Sequence, residues 1–204
     1  MDDHEDLCAR LSTLFLKKAA EDHEVRNKIR RDTQFGDLFE SRFDLFNWQD
    51  EPVKELAAFC HRALASVIFE LSDYSEDEFS KLVFDYHAWF HITKHGGFQA
   101  LHHHQNASWS GIFCVDPGDS PAEFPQSGAV RFHDTRGLAD QYRDAANNRL
   151  KLPARFGGYQ IDHEAGRLLI FPSYVDHEIF TYMGKRERIV VAFNCMVKKS
   201  QPAG

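Results

Sequence analysis

From residue 79 onward the chain is a succession of short strand patterns separated by turn residues, and this feature most limits the folds open to it. Eight segments are rich in apolar, β-branched and aromatic residues and are bounded by Gly, Pro, Asn or Asp. They are residues 81–93, 98–104, 109–116, 129–133, 158–162, 167–171, 177–182 and 187–198. Strands of this number and length are typical of a β-sandwich or barrel.

The N-terminal part differs because its apolar residues recur at helical spacing. Residues 3–31 predict one amphipathic helix, or two. Residues 50–71 predict another, with Asp50 in position to cap it and Pro52 in its first turn. Residues 34–48 have no clean period, and we expect loop there with one short strand.

Helices followed by eight strands favour an α+β, mainly β fold, a jelly roll with the N-terminal helices packed on one face. The 204 residues, 43% of them hydrophobic, are enough for one sizeable core but few for two full domains. We therefore expect one structural unit, with residues 1–78 as a helical region that packs on a core formed by residues 79–204. Residues 116–126 and 134–156 are predicted to be long loops, the second part-helical at 138–146.

Composition narrows the partners and the compartment. The net charge of -7 provides no basic surface, so nucleic acid is not an expected partner. An acidic N-terminus and the lack of an apolar run of about 18 residues argue against a signal peptide and a membrane span. Widely spaced cysteines without a CxxC pair indicate reduced core thiols and a cytoplasmic protein; they are Cys8, Cys60, Cys114 and Cys195. The oligomeric state is left open.

A run of three histidines, His102-His103-His104, is the first candidate site. In an extended segment His102 and His104 point to one face and His103 to the other. Two converging imidazoles are part of a metal site that needs a third ligand. His177 supplies a candidate, because it opens a strand after the corner at Pro172.

Arg188 is the second candidate. It lies at the start of a strand in which Arg188, Val190, Ala192 and Asn194 share one face, and one face of that strand must line the barrel interior. A buried guanidinium needs an anionic partner, and a carboxylate cosubstrate fits its planar donors. The alternative is a strand-end ion pair with Glu187 or Asp176.

These residues occur in motifs that follow one another in a recognisable order. The motifs are GGFQALHHH from Gly96, WSGIF from Trp109, FPSYVDH from Phe171 and RIVVAFN from Arg188. Together they resemble the 2-oxoglutarate- and iron(II)-dependent oxygenases built on a double-stranded β-helix, especially the branch with prolyl 4-hydroxylases, and more closely a bacterial and phage group of such oxygenases. The resemblance extends over residues 81–198.

The resemblance implies Fe(II) as the metal, 2-oxoglutarate as cosubstrate and O2 as oxidant, with hydroxylation of a small molecule or an amino-acid side chain. It makes His102 and His177 iron ligands, and it places His104 where the family has the carboxylate of an HxD/E motif. Arg188 matches the residue that anchors the distal carboxylate of 2-oxoglutarate.

Further residues are implied to lie near the cosubstrate pocket. Ser110 and Asn194 do so by motif position, and His91 stands where an Asn is often found; His87 and His133 are candidates for the barrel lining.

The departure at His104 bears on the chemistry, because three histidines leave the metal centre more positive than two histidines and a carboxylate. A three-histidine iron site is feasible, as in some cupin dioxygenases. Asp116 or Asp134 could instead complete the site. His103 is expected to point outward.

Two other functions fit part of the pattern. A cupin-type dioxygenase or isomerase that does not use 2-oxoglutarate would share the histidines, but its acidic ligand after HxH is missing and Arg188 would have no role. A non-catalytic barrel that binds a metal or a small acid is the other.

Overall fold

The computed structural model describes residues 4–136, 142, 144–151 and 157–200. The helices in this part of the chain are α1 (His4–Glu21), α2 (Glu51–Leu71) and α3 (Glu76–Phe79). The strands are β1 (Gln34–Phe35), β2 (Leu38–Glu40), β3 (Leu82–Thr93), β4 (Phe98–His102), β5 (Trp109–Asp116), β6 (Val130–Phe132), β7 (Tyr159–Ile161), β8 (Leu168–Pro172), β9 (His177–Ile179) and β10 (Arg188–Lys199). Within the described ranges, no helix is long and apolar enough to cross a membrane.

The strands form two five-stranded antiparallel sheets. The first sheet has the order β2-β3-β10-β5-β8, and the second has the order β1-β4-β9-β6-β7. Apart from the pairs β2–β3 and β6–β7, strands that follow one another along the chain lie in different sheets, as in a jelly roll. The predicted fold class, a double-stranded β-helix with helices on one face, is confirmed.

Strand β10 separates the two hydrophobic layers of the molecule. Ile189, Val191 and Phe193 pack in the cluster that contains the buried faces of α1 and α2. Val190, on the opposite face, packs between the sheets with Ile112, Val130, Phe171 and Ile179. Arg188 shares the side of Val190, so it faces the interior of the barrel.

Helix α1 covers the outer face of the first sheet through one aromatic contact in particular. The ring of Phe15 stacks on that of Phe90 in β3, with centroids 4.3 Å apart and planes 7° from parallel. Both side chains are fully buried. The contact joins the helical layer to a strand whose other face lines the barrel.

Replacing Phe15 with alanine is expected to reduce the free energy of unfolding by about 3–5 kcal/mol, because a buried aromatic ring is lost and a cavity remains. Chemical denaturation measures this change. Leu16→Ala is the matched control on the same helix, since Leu16 is 39% exposed. Equal effects of the two substitutions would contradict the packing of α1 described above.

The structure corrects several predicted bounds. Helix α1 ends at Glu21 rather than near residue 31, because Val25 is the only buried hydrophobic residue between positions 22 and 31 and Ile29 is 69% exposed. Two short strands, β1 and β2, replace the single strand expected at 34–48, with Gly36 at positive φ between them. In the helix predicted at 138–146, residues 142 and 144–146 are described and are not helical; its other residues, with 137 and 152–156 of the predicted loop, lie outside the described residues.

Candidate metal centre

His102 and His177 lie directly opposite each other in the second sheet. β4 ends at His102, β9 begins at His177, and the antiparallel register of these two strands pairs the two residues. Their ring centroids are 4.3 Å apart. Strand pairing therefore brings together two predicted ligands that are far apart in the sequence.

A backbone carbonyl orients each of these two rings. Nδ1 of His102 lies 2.7 Å from the carbonyl oxygen of Ala100, and Nδ1 of His177 lies 3.0 Å from that of Val175. A carbonyl only accepts, so each Nδ1 carries the proton and the Nε2 lone pair is left to bind a metal. Burial lowers the pKa of both imidazoles, to about 4 for His177, which keeps the rings neutral near neutral pH.

His104 reaches the same point from outside the strand. β4 stops at His102, and the backbone of His104 is held instead by its N–H, which donates to the carbonyl oxygen of Ser173 at 3.0 Å. Its ring lies 6.0 Å from that of Trp89, centroid to centroid. Burial, with the neighbouring histidines, lowers the pKa of His104 to about 3, so this ring is also neutral and able to ligate.

The ligand atoms of His102, His104 and His177 all lie within 4.8 Å of one another. In the described part of the chain, neither Asp116 nor Asp134 belongs to this group. Asp116 accepts from the backbone N–H of Gly118 at 2.8 Å, and Asp134 pairs with Arg136 at 2.7 Å. The acidic alternatives are thus engaged elsewhere, while three neutral imidazoles converge as transition-metal ligands do.

His103 points away from this cluster. Its side chain is 46% exposed, and its Nδ1 lies 2.9 Å from Oδ1 of Asp176. The outward orientation predicted for His103 is confirmed.

Arg188 is buried in the barrel, and the described residues supply no ion pair for its charge. It is 2% exposed, and neither Nε nor Nη2 has a hydrogen-bond partner among the described residues. Burial lowers its pKa to about 10, which still leaves the guanidinium charged near neutral pH. A buried charge without a partner is unstable, so the site favours an anionic ligand. Neither Glu187 nor Asp176 pairs with Arg188, which removes the strand-end alternative.

Ser110 and Asn194 meet beside the histidines, where adjacent strands β5 and β10 pair them. The Ser110 hydroxyl donates to Oδ1 of Asn194 at 2.8 Å and lies 2.8 Å from the hydroxyl of Ser173. This network fixes the Asn194 amide, which lines a chamber of about 540 Å³ together with His102 and His104.

The chamber is lined mainly by polar side chains. One side of it, the N-terminal wall, is formed by Arg31, Asp32, Thr33, Gln34, Glu40 and Phe43. The remaining lining residues are His87, Trp89, Gln99, His102, His103, His104, Gln105, Asn106 and Asn194. Charged groups of both signs and several amides are therefore available to a ligand in front of the histidines.

His91 lies behind this chamber and contacts Glu40. Its Nε2 lies 2.9 Å from Oε2 of Glu40 and 3.1 Å from Nε1 of Trp89. Burial by itself raises the pKa of Glu40, but contacts with His91, Asn27 and Gln34 outweigh burial and lower it. His91 is not among the described residues that line the chamber, but its two partners, Glu40 and Trp89, are.

Comparison with known protein families matches residues 87–194, more than half of the chain, to the family model described as "Putative 2OG-Fe(II) oxygenase". The chain belongs to the 2OG-Fe(II) oxygenase family. The metal of this oxygenase is Fe(II), and it uses 2-oxoglutarate and O2 as cosubstrates. The predicted function class is confirmed over the cupin and non-catalytic alternatives.

Solved structures share the fold of the oxygenase. A prolyl-4-hydroxylase from Pseudomonas putida is 18% identical, with a TM-score of 0.64, covering 97% of this chain and 88% of that chain. AviO1 from Streptomyces viridochromogenes is 13% identical, with a TM-score of 0.60, covering 100% and 89%. HygX from Streptomyces hygroscopicus, solved with nickel and 2-oxoglutarate, is 13% identical, with a TM-score of 0.54, covering 94% and 78%. No curated protein matches the chain.

The oxygenase also has chamber residues that its sequence did not reveal. Glu40, Gln34 and Trp89 join the site through pairing of β2 with β3 and through side-chain hydrogen bonds. For Glu40 the sequence offered no distinguishing signal, because Arg42 and Asp44 are charged residues in the same short stretch.

Proposed function

We propose that His102, His104 and His177 are the Fe(II) ligands of this oxygenase and that Arg188 binds the distal carboxylate of 2-oxoglutarate. The convergence of three neutral imidazoles within 4.8 Å carries this proposal. The guanidinium of Arg188 supports the second part, since a carboxylate supplies acceptors for Nε and Nη2, which have no partner among the described residues. Asn194 lines the same site and Ser110 orients its amide, while His91 acts through Glu40 and Trp89.

The substrate is a small polar molecule or an amino-acid side chain, and the reaction is its hydroxylation. The lining of the chamber supports this choice, because amides and charged side chains bind polar groups while Phe43 and Trp89 offer apolar contact. The net charge of -7 disfavours a nucleic acid substrate, because an acidic protein repels the phosphate backbone.

The iron, when bound, supplies the oxidative chemistry with 2-oxoglutarate and O2. The protein contributes position and environment. The carbonyl groups of Ala100 and Val175 hold the two strand histidines in the tautomer that presents Nε2. Trp89 packs beside His104, and the Ser110 hydroxyl orients the Asn194 amide toward the chamber.

Succinate release in the absence of added substrate tests the proposal. Protein supplied with Fe(II), 2-oxoglutarate and O2 is expected to form succinate slowly, and a chelator is expected to stop it. The same protein without 2-oxoglutarate is the blank. The assignment would be contradicted if the iron-loaded protein showed no succinate formation and no 2-oxoglutarate binding.

The division into a helical region, residues 1–78, and a barrel core, residues 79–204, remains a proposal. Stacking of Phe15 on Phe90 supports treating the two regions as one unit. A cytoplasmic location is also proposed, and it is supported by four buried cysteines that are all free thiols.

A further inference from the structure

His163 is a half-buried histidine that none of the family motifs includes. It follows β7, where Ile161 pairs with Val130 and Tyr159 pairs with Phe132. Val130 and Phe132 pack between the sheets, and alternation along the chain places His163 on the same side as Ile161. Both ring nitrogens of His163 are buried and have no hydrogen-bond partner among the described residues.

Two observations place His163 close to Arg188. If the β6–β7 register is continued by two residues, His163 falls opposite Gly128. Gly128 lies against Arg188, since a Cβ at this glycine would be 2.9 Å from Cδ and 3.1 Å from Nε of Arg188. In agreement, burial and then the charge of Arg188 lower the pKa of His163 well below its ordinary value.

His163 and Arg188 also both have buried nitrogens that lack hydrogen-bond partners among the described residues. In the described part of the chain, every buried side-chain nitrogen or oxygen without a hydrogen-bond partner belongs either to His163 or to Arg188. Leaving such a group without a partner is costly, and two neighbouring side chains with free donors can be satisfied by one ligand that accepts from both. A carboxylate fits, because it has two oxygens and only accepts.

We propose that His163 is a second binding residue for the distal carboxylate of 2-oxoglutarate. One ring N–H of His163 donates to a carboxylate oxygen, while Arg188 donates to the same group from the facing sheet. The inference rests on the proposed function, because it assumes that Arg188 holds this carboxylate. It makes His163 a selectivity residue that distinguishes a dicarboxylate from a 2-oxo acid with an apolar end.

The test compares two ligands and two variants. Isothermal titration of Fe(II)-loaded protein without O2 measures the affinity for 2-oxoglutarate and for 2-oxopentanoate, which has a methyl group in place of the distal carboxylate. His163→Leu is expected to weaken 2-oxoglutarate binding about tenfold and to leave 2-oxopentanoate binding unchanged, as loss of one hydrogen bond to a charged group predicts. His163→Gln keeps a donor and is expected to retain most of the affinity.

Each other outcome overturns the inference. If His163→Leu binds 2-oxoglutarate as tightly as the original protein does, His163 does not contact the cosubstrate. If it weakens both ligands equally, its role does not concern the distal carboxylate. Failure of the unaltered protein to bind 2-oxoglutarate would overturn the proposed function itself, which separates the two failures. Thermal unfolding of the metal-free variants controls for folding, and His163→Leu is expected to be no less stable because it removes buried polar atoms without partners.

Discussion

Replacing Arg188 with methionine is expected to weaken 2-oxoglutarate binding by at least about 100-fold. Removing one member of a buried charge pair costs about 3–5 kcal/mol, and about 1.4 kcal/mol corresponds to a factor of ten in affinity. Methionine keeps much of the length and apolar character of the arginine stem, so the loss would come from the guanidinium. Iron affinity should change little, because Arg188 does not belong to the histidine cluster.

Calorimetric titration of the iron-loaded protein measures this effect, and Arg186→Met is the matched control. Arg186 precedes Arg188 by two positions, but its side chain is 62% exposed and it contacts Asp116. Full 2-oxoglutarate affinity in the Arg188 variant would rule out the anchor role. The metal-free Arg188→Met protein is expected to be as stable as the original or more so, because a buried charge without a partner has been removed.

Replacing His177 or His102 with alanine is expected to reduce iron affinity by more than about 100-fold. Losing a residue that merely supports a metal ligand already costs about 10- to 100-fold, and losing the ligand itself should cost more. Competition with a coloured chelator measures the affinity. His103→Ala is the control within the same run, since its exposed side chain contacts Asp176 rather than the cluster. Equal losses for His103 and His102 would contradict the assignment.

His104 allows a more specific comparison at the same site. His104→Ala is expected to weaken iron binding, whereas His104→Asp is expected to retain it, because a carboxylate ligates Fe(II) and lowers the positive charge of the centre. Unchanged binding in His104→Ala would show that the site has only two protein ligands.

Local pattern was sufficient to predict the parts of the fold that bury a regular face. The alternation in β10 predicted which residues share a face, and β5 was predicted at its observed bounds. The pattern failed where the strands are very short. β1 and β2 contain two and three residues, too few to establish a period, and their pairing partners are distant in the chain.

The histidine cluster shows both the strength and the limit of sequence reasoning. The alternation argument assumed that one strand contains His102 and His104, but β4 ends at His102 and a hydrogen bond to Ser173 positions the backbone of His104. The three histidines were identified correctly, although the backbone at His104 differs from the extended strand that the argument assumed. His163 and Glu40 were missed as site residues because their roles depend on contacts between segments that no local period encodes.

The N-terminal wall of the chamber lies entirely before residue 87, where the family match begins. The residues proposed to hold iron and 2-oxoglutarate all lie inside the match, whereas this part of the chamber lining comes from a stretch that the match does not include. Relatives that share the later stretch are expected to diverge in what they hydroxylate wherever their first strands differ. Transplanting residues 31–43 between such relatives would then exchange their substrate preference while each recipient keeps its own catalytic apparatus.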